Sequence, residues 1–196
     1  MKKRLLASLL SLSMAATLLP PAAFAAAGET DVSTREELAA ALADSSVSVI
    51  NVTAGIAMGS DYWTPAVIER DLTINGNGNV ISGMKVNTGV LKPSGSGVAG
   101  DGGSCDYYAG FIGSNKGELT INDLDFSGAF VDMDPLSVNE KSTGSSILAV
   151  VCANNSGTLV YNDVDVAASE VRGYTKAGLL HGFSQGKSAS FTANRC

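Results

Sequence analysis

The stretch ELTINDLDF at residues 118–126 decides the fold. Leu119 and Ile121 alternate on one face of an extended chain, and Leu124 and Phe126 alternate on the other. A single flat strand cannot bury all of them. One turned residue between Ile121 and Leu124 reverses which parity points inward, and the apolar side chains on both sides of it then share one interior. The pair Asn122-Asp123 supplies the corner. The left-handed conformation, which costs most residues ~1–2 kcal/mol, falls by this reading to the asparagine.

The corner recurs. AGFIGSNKGELTINDLDFSGAFV at 109–131 realigns, 40 residues on, with AVVCANNSGTLVYNDVDVAASEV at 149–171. Gly117 falls on Gly157, Leu119 on Leu159, Ile121 on Tyr161, and Asn122-Asp123 on Asn162-Asp163. A third copy begins at Ala177, and a looser one, DLTINGNG from Asp71, matches through Leu72, Ile74 and Asn75, with Asn75-Gly76 as an equivalent corner. Similarity at a fixed period means stacked supersecondary units. Short strands bent at such corners predict an all-β fold, a parallel β-helix solenoid in which Asn122 and Asn162 join an internal amide ladder.

Upstream, Ser33 and Glu36 form a capping box before TREELAAALAD, which predicts one helix over about 34–43 covering the first open end of the stack. Coils are expected at about 47–91, 109–131 and 149–171, with an incomplete coil at 177–196. Polar inserts at 92–108 and 132–146 read as loops. The Gly/Ser-rich insert lacks the Lys and the following helix of a phosphate loop.

MKKRLLASLLSLSMAATLLPPAAFAAAG carries a basic start at Lys2, Lys3 and Arg4, an apolar run and a small-residue site ending at Ala25. It reads as a signal peptide, 1–25, which leaves 26–196 as a secreted or cell-surface domain with no membrane span. Losing those three cations takes the formal net charge from −6 to −9. So acidic a chain without a basic cluster argues against nucleic acid as a partner. Cys105, Cys152 and Cys196 are odd in number and His181 is the sole histidine, which argues against a zinc site built from Cys and His. Cys152 replaces Ile112 in the repeat and reads as a small buried side chain.

On these residues AGFIGSNKGELTIND resembles the GLUG-type repeat of bacterial surface proteins. The helix followed by VSVINVTAGIAM and VIERDLTINGNGNVISG resembles the entry to pectin-lyase-like right-handed β-helices. The resemblance implies that fold and leaves activity open, since the architecture carries lyases, hydrolases, adhesins and stalks. Family lyases pair calcium-binding aspartates with an Arg or Lys base, and family hydrolases carry a Gly-His-Gly. Leu180-His181-Gly182 departs from the second pattern, and no catalytic residue is assigned.

The candidate binding residues are Asp123, Asp125, Asp163 and Asp165, which stacking puts on one outer flank. Like charges repel there, and a hard cation such as calcium would relieve them. Two carboxyls ~5–5.5 Å apart would also suit a retaining glycosidase. A solvated acidic face needs no such role and is the preferred reading. Tyr62 and Trp63 in GSDYWTP offer flat rings to a sugar, although packing of Trp63 against the helix is favoured. The expected function is a secreted or cell-surface module of structural or adhesive character, contacting carbohydrate or a host or cell-surface protein. The alternative is a polysaccharide lyase or glycoside hydrolase of the same fold, truncated at Cys196. Further C-terminal coils, or a partner, are expected at the open end.

Overall fold

A computed structural model describes residues 28–88, 107–133, 146–173 and 176–196. The signal segment 1–25, Cys105 and most of the two inserts lie outside the described residues.

The chain begins with β1 (Glu29–Val32), α1 (Arg35–Ala43), β2 (Val49–Val52), β3 (Ile56–Ala57) and β4 (Ala66–Ile68). It continues with β5 (Leu72–Ser82), β6 (Lys85–Asn87), β7 (Tyr107–Ala109), β8 (Ile112–Asn115), β9 (Glu118–Ser127) and β10 (Phe130–Asp132). Then follow β11 (Ser146–Ala149), β12 (Cys152–Asn155), β13 (Thr158–Asn162), β14 (Val166–Ala167) and β15 (Glu170–Arg172). The last strands are β16 (Lys176–Gly178), β17 (His181–Ser184) and β18 (Ser190–Asn194). The fold is mostly β, with one helix among the described residues. The sheets are parallel throughout the described strands.

Four sheets form. The largest orders β1-β2-β5-β9-β13-β18, and the others order β6-β10-β15, β7-β11-β16 and β4-β8-β12-β17. From β5 onward the chain visits them in one repeating cycle, so each strand pairs with its counterpart from the previous passage. Parallel neighbours need long crossovers, and here the other three sheets provide them.

β9 explains how one sequence lines one core. Leu119, Ile121, Leu124 and Phe126 are all fully buried. The parity reverses at Asp123, whose φ is 49°, and Asp163 repeats it at 54°. The left-handed residue is thus the aspartate, where the sequence assigned it to Asn122. Asn122 stays extended so that its side chain can reach the next strand. The earlier copy is also different: register passes from Asn75↔Asn122 to Asn79↔Leu124, so Gly76, Asn77 and Gly78 together oppose Asp123, and Asn75-Gly76 is no two-residue corner. In the third copy Ala177 pairs with Leu148 where the repeat expects Ala149. A similar slip sets Ala109 against Leu148, although Ile112 and Cys152 are in the repeat register.

The helix lies one residue off the expected frame. Thr34 is the N-cap and Glu37 completes the box; Ser33 donates to the same carboxylate from its N–H and hydroxyl. Leu38, Ala41 and Leu42 are buried against the sheet end. Segment 47–91 holds β2 and then β5, which pair directly and therefore lie on successive passages. Tyr107 and Tyr108, expected in a loop, open β7.

Candidate functional site

The corners carry most of the repeated polar chemistry. Asn122 donates through Nδ2 to Asn75 Oδ1 at 3.0 Å, and Asn162 donates to Asn122 at 2.8 Å. The ladder extends both ways: Asn75 donates to Asn51 at 3.0 Å and Asn194 to Asn162 at 2.8 Å. Asn51 ends it on the carboxylates of Glu29 and Asp31. These side chains are half-buried or exposed, on the outer surface of the largest sheet, so the ladder is external where the sequence reading put it inside. Asn51 and Asn194 escaped that reading; the signal was an asparagine directly after an apolar position, in VIN and FTAN.

A second amide pair lies in the interior. Asn115 and Asn155 are fully buried, and Asn115 Nδ2 donates to Asn155 Oδ1 at 2.8 Å. Each Oδ1 also accepts from the glycine N–H two residues on, Gly117 or Gly157, at 3.2 Å. Asn155 Nδ2 reaches Ser190 O at 2.8 Å. Each amide thereby satisfies backbone groups that a tight corner would leave unpaired. The Asn-x-Gly spacing in SNKG and NNSG was the visible trace of this arrangement.

The acidic flank is assembled in part. Asp165 N–H donates to Asp125 Oδ1 at 3.2 Å, which joins the two corners. Asp163 is held by the fork of Arg195, whose hydrogen bonds keep its carboxyl below the usual range. Asp123 is exposed at the left-handed position. Among the described residues no group of three or more His, Cys, Asp or Glu side chains is gathered as a metal site would require.

The aromatic pair is split. Tyr62 is 46% exposed, whereas Trp63 is only 4% exposed and stacks on Phe111 with ring centroids 5.8 Å apart. Its indole N–H donates to Phe111 O at 2.9 Å. Trp63 is thereby removed as a sugar platform: its ring is core, with its polar handle satisfied. Nearby, a groove of about 840 Å³ runs between α1 and β4, past Ala39, Leu42, Pro65 and Val67, to the Glu69–Lys116 ion pair.

Cys152 is fully buried, and its thiol is pushed up to about 12 by that burial. It is therefore a protonated, inert core group at neutral pH. His181 is half-buried; its Nδ1 lies 3.2 Å from Cys152 O and its Nε2 2.9 Å from Ser184 Oγ. A carbonyl can only accept, so Nδ1 carries the proton and Nε2 accepts from Ser184.

Among the described residues no helix is long and apolar enough to cross a membrane. A protein-family model described as "Putative pectate lyase-like adhesive domain" matches residues 29–181. No curated protein and no solved structure gives a significant match to the chain.

Proposed function

We propose, from the premise that this chain belongs to the pectate lyase-like adhesive domain family, that it is an adhesive module working at the cell surface or in the extracellular space. The observation that carries this reading is the family match over residues 29–181, which takes in α1 and the strands from β1 through β16. The fold we assign is a right-handed parallel β-helix with GLUG-type coils. The fixed cycle through four sheets supports the winding, and the twist of parallel crossovers favours the right hand. Residues 1–25 are assigned as the export signal, on their basic start and apolar run.

The contact surface we assign is the outer corner bearing Asp123, Asp125, Asp163 and Asp165, with Tyr62 a separate exposed ring. Of the four carboxylates only Asp163 is ion-paired among the described residues. Asp123, Asp165 and the second oxygen of Asp125, whose Oδ1 accepts from Asp165 N–H, are available to accept from sugar hydroxyls or from the Arg and Lys side chains of a protein partner. Calcium enters this reading as an ion that would screen the flank.

Adhesion is measured as retention under flow of beads coated with the mature chain. The surfaces carry acidic polysaccharide, neutral polysaccharide, mucin-type glycoprotein or matrix protein, each with and without calcium. Retention on at least one of them above albumin-coated beads is expected, falling at least severalfold in the Asp123→Asn/Asp125→Asn/Asp165→Asn triple variant. Polysaccharide shortened by the soluble protein, with no retention anywhere, would replace the adhesive reading by the lyase or hydrolase one.

A further inference from the structure

The sequence holds two Asn-Gly pairs, Asn75-Gly76 and Asn77-Gly78, in tandem at one corner. Their intrinsic chemistry is the same. A glycine after an asparagine leaves its main-chain nitrogen unshielded by a Cβ and free to turn, so that nitrogen can reach the asparagine's side-chain amide carbon. Folding sets the two pairs apart.

Asn75 is held on every side. Its Nδ2 donates to Asn51 Oδ1 and its Oδ1 accepts from Asn122 Nδ2, each at 3.0 Å. Its main chain stands in register with Asn51 on one neighbour and Asn122 on the other. Gly76 is wedged against β9, since a Cβ on it would overlap Asp123 O and Leu124. Attack by Gly76 N on Asn75 Cγ therefore requires the ladder and the strand pairing to open first.

Asn77 lies outside that frame. The register passes from Asn75 to Asn79, so Asn77 has no partner in β9. It is exposed, with φ 53°, and Gly78 follows at φ 72°. Gly78 is uncrowded: the nearest neighbour of the point a Cβ would occupy is Asp123 Oδ2, at 3.9 Å. Asn77 Nδ2 donates at 3.2 Å to Val52 O and at 3.4 Å to Asn75 O. Val52 O also accepts from Asn79 Nδ2 at 2.9 Å, so withdrawing the Asn77 amide leaves that carbonyl satisfied.

We propose that Asn77 is a site of self-modification by deamidation. Gly78 N attacks Asn77 Cγ; the new C–N bond replaces the Cγ–Nδ2 bond, the Gly78 amide proton passes to the leaving nitrogen, and ammonia departs. Solvent water then opens the cyclic imide at either carbonyl, leaving an α-linked or a β-linked aspartyl at position 77, with no oxidant or reductant required. The α-linked product suits the backbone, because Asp123 and Asp163 hold the left-handed conformation in the later copies at 49° and 54°. The new carboxylate adds charge beside Asp123, so the acidic flank grows as the protein ages.

The test holds the full chain at body temperature and mildly alkaline pH and follows peptide 71–85 by mass spectrometry, with fragmentation that places the amide-to-acid mass gain and separates α from β linkage. Conversion at Asn77 should be about tenfold or more faster than at Asn75, whose two ladder bonds must break before reaction. Both linkages should form at position 77. In guanidinium the two sites should react at equal rates, since each then presents only its Asn-Gly sequence. Asn77→Ser should abolish the early mass gain in this peptide. Asn75 reacting as fast as Asn77 in the folded chain overturns the proposal, as does no conversion at Asn77. An α-linked product alone would mean direct hydrolysis and also overturns it. So does a preference for Asn77 that persists undiminished in guanidinium, because the fold would then not be making the choice.

Discussion

At the scale of single residues, the corners separate two amide functions that the sequence writes with the same letter. Asn155 is fully buried and serves Gly157 N–H, Asn115 Nδ2 and Ser190 O, so Asn155→Ala removes three hydrogen bonds and takes the acceptor from Gly157 N–H, while Asn115 Nδ2 keeps Thr158 O at 2.9 Å. The cost expected is roughly 2–4 kcal/mol. Asn122 is half-exposed, and the left-handed strain sits next door on Asp123. Asn122→Ala therefore loses only its ladder bonds, about 1 kcal/mol. Urea unfolding of the two variants should keep this order; the reverse order would mean that the outer ladder, and not the inner pair, holds the stack. Gly157 faces a different constraint. A Cβ there would overlap the Gly117 carbonyl, and one on Gly117 would overlap the Arg70 carbonyl, so successive backbones touch at this point. Gly157→Ala should cost about 1–3 kcal/mol by overpacking, read as a lowered urea midpoint with the slope retained.

At the scale of elements, the helix and β17 each take part in a side-chain-to-backbone bond with a neighbouring segment. Arg70 donates from Nε to Val47 O at 2.7 Å and from its terminal nitrogens to Leu42 O and Ala41 O at 3.2 and 3.1 Å. Those carbonyls include the unpaired end of α1, which prefers a cation. Arg70→Ala should loosen α1 at a cost of about 1–3 kcal/mol, seen as faster amide exchange in Arg35–Ala43 than in β9. In β17 the fixed group is His181. Burial lowers its pKa from the ordinary 6.5, partly opposed by the hydrogen bond to Cys152 O. The unfolded chain thus takes up the proton first as pH falls. The stability His181 contributes is complete above pH 6.5 and is lost below it, until the folded form also protonates. Protonation also makes Nε2 a donor and ends its acceptance from Ser184. Urea midpoints across that range should fall in the unaltered chain and change less in His181→Gln; parallel slopes would exclude His181 as the cause.

At the scale of the whole molecule, what the sequence makes legible is whatever repeats along the chain. The parity switch around Asn122-Asp123 and the alignment of 109–131 on 149–171 give parallel pairing, and Leu119↔Leu159 and Asn122↔Asn162 stand in that register. What pairs only through space is not written at a fixed period. Trp63 finds Phe111 across 48 residues of chain, and Gly76-Asn77-Gly78 swells a corner with no counterpart in the later copies. The acidic flank was readable as a spacing, but Arg195 reaching back to Asp163 was not. A stack in which each passage touches mainly its neighbours should also unravel by position. Thr158 N–H donates to Gly117 O at 2.9 Å, and Ser190 N–H donates to Gly157 O at 3.0 Å, one passage further on. The two bonds match in place and length, so their local chemistry is alike and only their surroundings differ. β13 lies between β9 and β18, while β18 has a neighbour on one side and is exposed along its length. Native-state hydrogen exchange should therefore find Ser190 opening at lower free energy than Thr158, with the gap closing when denaturant makes global unfolding the common route. Equal protection of the two amides in the absence of denaturant would mean that the stack unfolds as one cooperative unit, and that the β18 end is no weaker than the interior it continues.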